Sequence, residues 1–144
     1  MRVIIAGDRE MKDIDLIETA INKSGFKITE LVSGCARGAD KMGELWARAN
    51  GVPIKQFKAN WDDIKAEGAR IKTRENPWTK KMEKYNARAG FQRNEEMAQY
   101  AEALIALQPN GPTDGTQDMI KRAKEHELEI FVYEKADEDY EYKF

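Results

Sequence analysis

The chain has 144 residues, 41% of them hydrophobic and 35% charged, and its 24 Lys and Arg against 26 Asp and Glu leave a formal net charge of −2 at pH 7. That length makes one domain burying about 70% of the surface its unfolded form exposes, and near-neutrality removes any bulk electrostatic case for nucleic acid or a membrane surface, so an anion site has to be local. A single cysteine, Cys35, and a single histidine, His126, exclude a disulfide framework, a multi-cysteine metal site and a His-based zinc cluster.

In chain order, residues 2–6 are apolar and β-branched and read as a buried strand. Ile14, Ile17, Ala20 and Ile21 then recur at helical spacing until Gly25 stops the helix. Ile28–Ser33 reads as a second strand, followed by Met42, Leu45, Trp46 and Ala49 on one helical face, which Gly51 and Pro53 end. Pro53–Phe57 is a short third strand nearer an edge, because proline cannot donate to a ladder. Ala103–Leu107 is the clearest buried strand of the later half, with a helix over Thr116–Lys124 and a last strand over Leu128–Tyr133. Strands alternating with helices predict an α/β fold: a Rossmann-like open parallel sheet of about five strands in three α/β/α layers.

Residues 61–88 break that rhythm, with eight basic and five acidic residues, a balance of +3, around Trp61, Trp78 and Tyr85. A connection this long is either functional, as a lid or partner surface, or partly disordered. The acidic tail, 134–144, has little apolar periodicity and is expected to fray or dock weakly. The domain is therefore placed at 1–133 with a polar insertion at 61–88. Apolar runs of about five residues fall far short of the roughly 20 needed to cross a bilayer, and no signal segment opens the chain. A cytoplasmic protein is expected.

Three loops carry the chemistry. Gly7-Asp8-Arg9, Ser33 to Asp40, and Gly111 to Thr116 each leave a predicted strand, and in an open parallel sheet such loops share one edge, where ligands bind. Glycines let backbone amides approach a ligand, and helix N-termini favour anions, so the three together point to a phosphate-bearing small molecule. Arg37 can fork onto phosphate, or simply pair with a neighbouring loop. Asp40 in a first turn can merely complement the helix dipole. Arg93 and Asn94 are placed at the opening of the helix before Ala103–Leu107, within reach of the same edge. Gly115 and Thr116 read as donors at a helix N-terminus, with Thr113 or Asp114 as plain caps the alternative. Cys35 lies where Arg37 and a helix N-terminus would lower a thiol pKa, yet with no nearby histidine it reads as a loop residue. His126 reads as a charge partner at a helix end, Trp46 as packing, and Trp61 as packing under the insertion or stacking on a base.

Gly7-x-Arg9, Ser33-Gly34-x-Ala36-Arg37-Gly38-Ala39-Asp40, Ala89-Gly90-x-x-Arg93-Asn94-x-x-Met97-Ala98 and Gly115-Thr116-x-x-Met119-Ile120 together resemble the YspA-type branch of the SLOG superfamily. That superfamily also includes the Lonely Guy phosphoribohydrolases and the Rossmann-like domain of DprA. The resemblance implies a Rossmann-like sheet that binds nucleotides or their derivatives, as a sensor or an enzyme, and a homo-oligomer. The chain departs from the pattern where Asp8 replaces the usual serine, weakening phosphate contact there but offering an acceptor for a ribose hydroxyl or a ligand for a divalent cation. The catalytic glutamate of the Lonely Guy enzymes is replaced by Met119, and Asp118, one residue early, is rotated about 100° on the helix. The insertion is also longer than in the members it resembles.

The expected function is binding or sensing of a nucleotide-derived phosphorylated small molecule at the carboxyl edge of the sheet. Its expected contacts are Gly7, Asp8, Arg9, Ser33, Gly34, Arg37, Gly38, Asp40, Arg93, Asn94, Gly115 and Thr116. One alternative is a hydrolase of N-glycosidic bonds in nucleotide derivatives, with Asp8, Asp40, Arg93 and Asp118 as its catalytic candidates. A second is single-stranded DNA binding by the insertion, which the small +3 balance disfavours. Neither a metal nor a dinucleotide cofactor is firmly implied.

Overall fold

A computed structural model describes residues 1–65 and 69–134. The expected behaviour of the acidic tail falls almost wholly outside them. Eleven elements are described: β1 (Arg2–Gly7), α1 (Ile14–Ser24), β2 (Glu30–Ser33), α2 (Ala39–Ala49), β3 (Ile54–Gln56), β4 (Ile71–Glu75), β5 (Met82–Asn86), α3 (Ala89–Tyr100), β6 (Ala103–Leu107), α4 (Asp114–Glu125) and β7 (Glu129–Tyr133). Five strands form one parallel sheet in the order β3-β2-β1-β6-β7. The fold is α/β and Rossmann-like.

Alternation along β1 explains the layering. Val3 and Ile5 point to one face, where Ile17, Ala20 and Ile21 of α1 and Ala39 and Ala47 of α2 cover them. Ile4 and Ala6 point to the other, against Met97 and Ala98 of α3 and Met119, Ile120 and Ala123 of α4. Because both faces are covered, the central strands β1 and β6 carry apolar residues without a polar alternation. Caps fix the helix ends: the Asp13 side chain accepts from the Asp15 amide at 2.9 Å before α1, and Gly25 closes it in the left-handed region at φ 72°.

Two findings depart from the sequence reading. Within 61–88 the chain forms an antiparallel hairpin, β4 with β5, which pairs with no strand of the main sheet. Its base is closed by the Ala87 amide donating to the Arg70 carbonyl at 2.7 Å and the Asn86 amide donating to the Trp61 carbonyl at 2.6 Å. Charged residues on both faces gave it no apolar alternation by which to be recognised. The second departure is α3, which starts at Ala89. Arg93 and Asn94 therefore sit a full turn inside it, not at its opening.

Candidate functional site

Strand order reverses between β1 and β6: from β1 the chain moves outward to β2 and β3, then returns to β6 on the other side. At such a switch point the two loops leaving the strands diverge and open a crevice at the carboxyl edge. Three loops interlock around it. The Asp8 amide donates to the Leu107 carbonyl at 3.2 Å, and the Ala39 amide donates to the Asp8 carbonyl at 3.0 Å. Gly38, at φ 76°, lies so close to the backbone of Asp8 and Arg9 that any side chain there would strike it, so glycine is required for both reasons.

An inner chamber of about 390 Å³ occupies the crevice. Its floor is Ala6, Gly7 and Asp8 of β1 and its loop, its far wall Thr113 to Thr116 at the start of α4, and its near wall Asn94, Met97 and Arg93 of α3. The Arg93 guanidinium donates from Nη1 to the Gly34 carbonyl at 2.6 Å. Gly34 is small of necessity, since a Cβ there would stand 2.9 Å from Asp40 Oδ2 and 3.0 Å from Arg93 Cδ.

Asp40, 7% exposed, accepts from the Ala36 amide at 3.2 Å. Burial pushes its carboxyl up from 3.8 to about 6, against the opposing pull of Arg93. Arg93 is itself lowered, first by burial and further by the like charge of Arg9, while Asp40 opposes that fall. Asp8 behaves differently. The Glu10 amide at 2.8 Å and Asn110 Nδ2 at 3.0 Å hold it ionised, with its pKa below the usual carboxylate value.

An outer chamber of about 940 Å³ opens above the first, and Arg9, Trp61, Phe91 and Arg93 line both. Its sheet side adds Arg37 and Lys58, and its opposite side is the hairpin, through Arg70, Lys72, Arg74 and Tyr85. Trp61 joins the two halves. Its ring meets Tyr85 of β5 edge-on at 6.4 Å between centroids and lies over Gly90, where a Cβ would come within 2.9 Å of it.

The remaining candidate residues divide between cleft and scaffold. Gly7, Asp8, Arg9, Gly34, Arg37, Asp40, Arg93, Asn94, Gly115 and Thr116 line one chamber or the other. Arg37 is also paired with Glu10 at 2.8 Å on the exposed rim. Ser33 turns inward, donating to Glu44 Oε2 at 2.7 Å and accepting from the Cys35 amide. Gly38 is a packing glycine. Asp118 lines neither chamber: it accepts from Asn94 Nδ2 at 3.0 Å and Arg122 Nε at 2.8 Å, within the α3–α4 contact. The first of these bonds gives Asn94 a packing role beside its chamber face. Thr113 caps α4 by accepting from the Thr116 amide at 3.4 Å, and Asp114 and Gly115 of the same turn line the chamber.

Cys35 corrects an expectation. Burial, with Glu44 nearby, raises its thiol pKa and outweighs the cations beside it. His126 follows α4 as its cap, with Nε2 2.7 Å from Glu95 Oε2. Lys58 and Phe91 were missed because neither belongs to a glycine loop. The cations at 70, 72 and 74 had a visible signal: they repeat with the period of two that puts them on one face of a strand.

The comparisons with known proteins bear on the same elements. The model of the YspA, cpYpsA-related SLOG family matches residues 1–63, which hold β1, β2 and their loops. That stretch of the chain is similar to the SLOG family. The Rossmann-like fold extends past the matched residues: the solved structure of DNA processing protein A (DprA) from Streptococcus pneumoniae superposes with a TM-score of 0.62 over 91% of the chain at 17% identity. The chain spans about half of that protein, 49% of its length. No curated protein sequence matches. Among the described residues no helix is long and apolar enough to cross a membrane, and no group of three His, Cys, Asp or Glu could hold a metal ion.

Proposed function

We propose that this chain binds, as a sensor or carrier, a nucleotide or nucleotide-derived phosphorylated small molecule in the crevice between β1 and β6. One observation carries the reading: a half-buried arginine, Arg93, is held by the Gly34 carbonyl at the mouth of a chamber whose other wall is the first turn of α4. Guanidinium and helix-start amides converging on one cavity are donors for a phosphate oxygen. The inner chamber is otherwise mixed, with Met97, Met119, Trp61 and Phe91 to cover a ring and Asp8 to accept from hydroxyls. Asp8, ionised and anchored by two donors, suits a ribose hydroxyl better than a phosphate.

A second reading, hydrolysis of an N-glycosidic bond, rests on Asp40. A carboxyl titrating at about 6 in the chamber beside a guanidinium can donate its proton to a departing base. Against it, Met119 presents an apolar side chain to the chamber where the resembling enzymes carry a glutamate, and Asp118 is engaged elsewhere.

A thermal-shift screen separates these readings. Wild type and Arg93→Met are mixed with nucleoside phosphates, cyclic nucleotides, ADP-ribose conjugates and ribose phosphates, and each mixture is then checked by mass spectrometry. A ligand at about 100 times its dissociation constant stabilises the fold by roughly 2.7 kcal/mol. The binding reading predicts a wild-type shift that the variant loses, with the ligand intact. Free base in the mixture moves the case to the hydrolase, and no shift from any phosphate compound overturns both.

A further inference from the structure

The outer chamber is more basic than one phosphate requires. Arg9, Arg37, Lys58 and Arg93 line it from the sheet side and Arg70, Lys72 and Arg74 from the hairpin, against one carboxylate, Asp114. This concentration lies in a chain whose net charge is −2. Among the described residues, Arg9, Lys58, Arg70 and Lys72 have no carboxylate within ion-pair distance. Like charges converging across a concave surface repel one another until an anion enters, and the low-dielectric walls focus their field into the cavity.

A charged strand on an isolated hairpin has a simpler use, since lysine and arginine keep sheet edges from pairing with other chains. The parity of the residues speaks against that use alone. In β4, Lys72 and Arg74 share with Arg70 the face turned to the cleft, whereas Ile71, Thr73 and Glu75 take the opposite one. Edge protection does not require the cations to be sorted onto the cleft face.

We propose that the hairpin supplies a second anion subsite, and that the ligand is a nucleotide carrying a chain of three or more phosphates. The first phosphate sits at Arg93 and the rest run outward between Lys58 and Arg9 on one side and Lys72 and Arg70 on the other. The inference rests on the reading of the inner chamber given above. A single nucleic-acid strand shares the phosphate chemistry, but it gains its affinity from bases stacked on open aromatic faces. Here Arg74 covers the Tyr85 ring at 5.0 Å and Trp61 abuts its edge, Trp78 at 87% exposure lies outside the cleft lining, and Phe91 is left as an exposed ring on it, too little for a stacked strand.

Calorimetric titrations of wild type and a Lys72→Ala/Arg70→Ala double variant test this with adenosine mono-, di- and triphosphate, inorganic tripolyphosphate and a twelve-residue oligothymidylate. Circular dichroism confirms that both proteins are folded. The expected result is a gain of at least tenfold from mono- to triphosphate in wild type, flattened in the variant, with monophosphate affinity alike in both. Equal affinity across the series overturns the second subsite while leaving the inner chamber's reading intact. Failure of every phosphate compound to bind overturns both. Oligothymidylate binding a hundredfold tighter than triphosphate, with the same dependence on Lys72 and Arg70, assigns the face to nucleic acid instead.

Discussion

Asp40 is the residue at which fold and site compete. Its native carboxyl titrates at about 6 and its unfolded one at 3.8. Between those values the folded chain holds a proton that the unfolded chain has released, so stability falls as pH rises through the window. At about 1.4 kcal/mol per pKa unit the loss is on the order of 3 kcal/mol by pH 7. Asp40→Asn keeps an acceptor for the Ala36 amide and does not ionise. Urea unfolding of both proteins from pH 4 to pH 7 is therefore expected to show the variant gaining on wild type by up to about 3 kcal/mol, and a pH-independent difference would refute the assigned environment. Gly38→Ala is expected to cost at least about 2 kcal/mol, since it combines a positive φ with collision against the Asp8 and Arg9 backbone. Glu95→Ala removes partners from Arg122 and His126 on a partly exposed helix pair and is expected to cost less than about 1 kcal/mol by the same measurement.

Among the elements, those buried on both sides were legible in the sequence. β1 and β6 are short continuous apolar runs, and α1 is bounded by a cap residue and a glycine, so local chemistry and global position agree. β4 and β5 were not legible, because a strand pair without a buried face shows no hydrophobic period. Arg37 was ambiguous for another reason: Glu10, its partner, lies 27 residues away and is brought close only by the interlocked loops. The glycine loops announced the inner chamber, whereas its outer neighbour depends on a hairpin whose placement no local pattern records. That hairpin is an appendage to the sheet. Replacing residues 72–85 with Asn-Gly keeps the Ile71–Asn86 pair and closes it with a two-residue turn. The shortened chain is expected to retain the far-ultraviolet circular dichroism of the parallel sheet and helices and to lose no more than about 2 kcal/mol in urea, whereas loss of cooperative unfolding would mean that the hairpin is part of the core.

For the whole molecule, the parallel sheet puts all three glycine loops at one end and the turns at Gly25 and Gly51 at the other. Glycine amides therefore report from both ends of the fold, and their nitrogen shifts separate them from most other residues. We propose above that a phosphorylated nucleotide derivative enters at the carboxyl edge between β1 and β6. Nitrogen–proton correlation spectra during a titration with adenosine monophosphate and with ADP-ribose test it directly. Binding at that edge is expected to give saturable shifts at Gly7, Gly34 and Gly115 with Gly25 and Gly51 unmoved. Shifts centred on Gly25 and Gly51, or an unchanged spectrum at millimolar concentrations of both compounds, would contradict it.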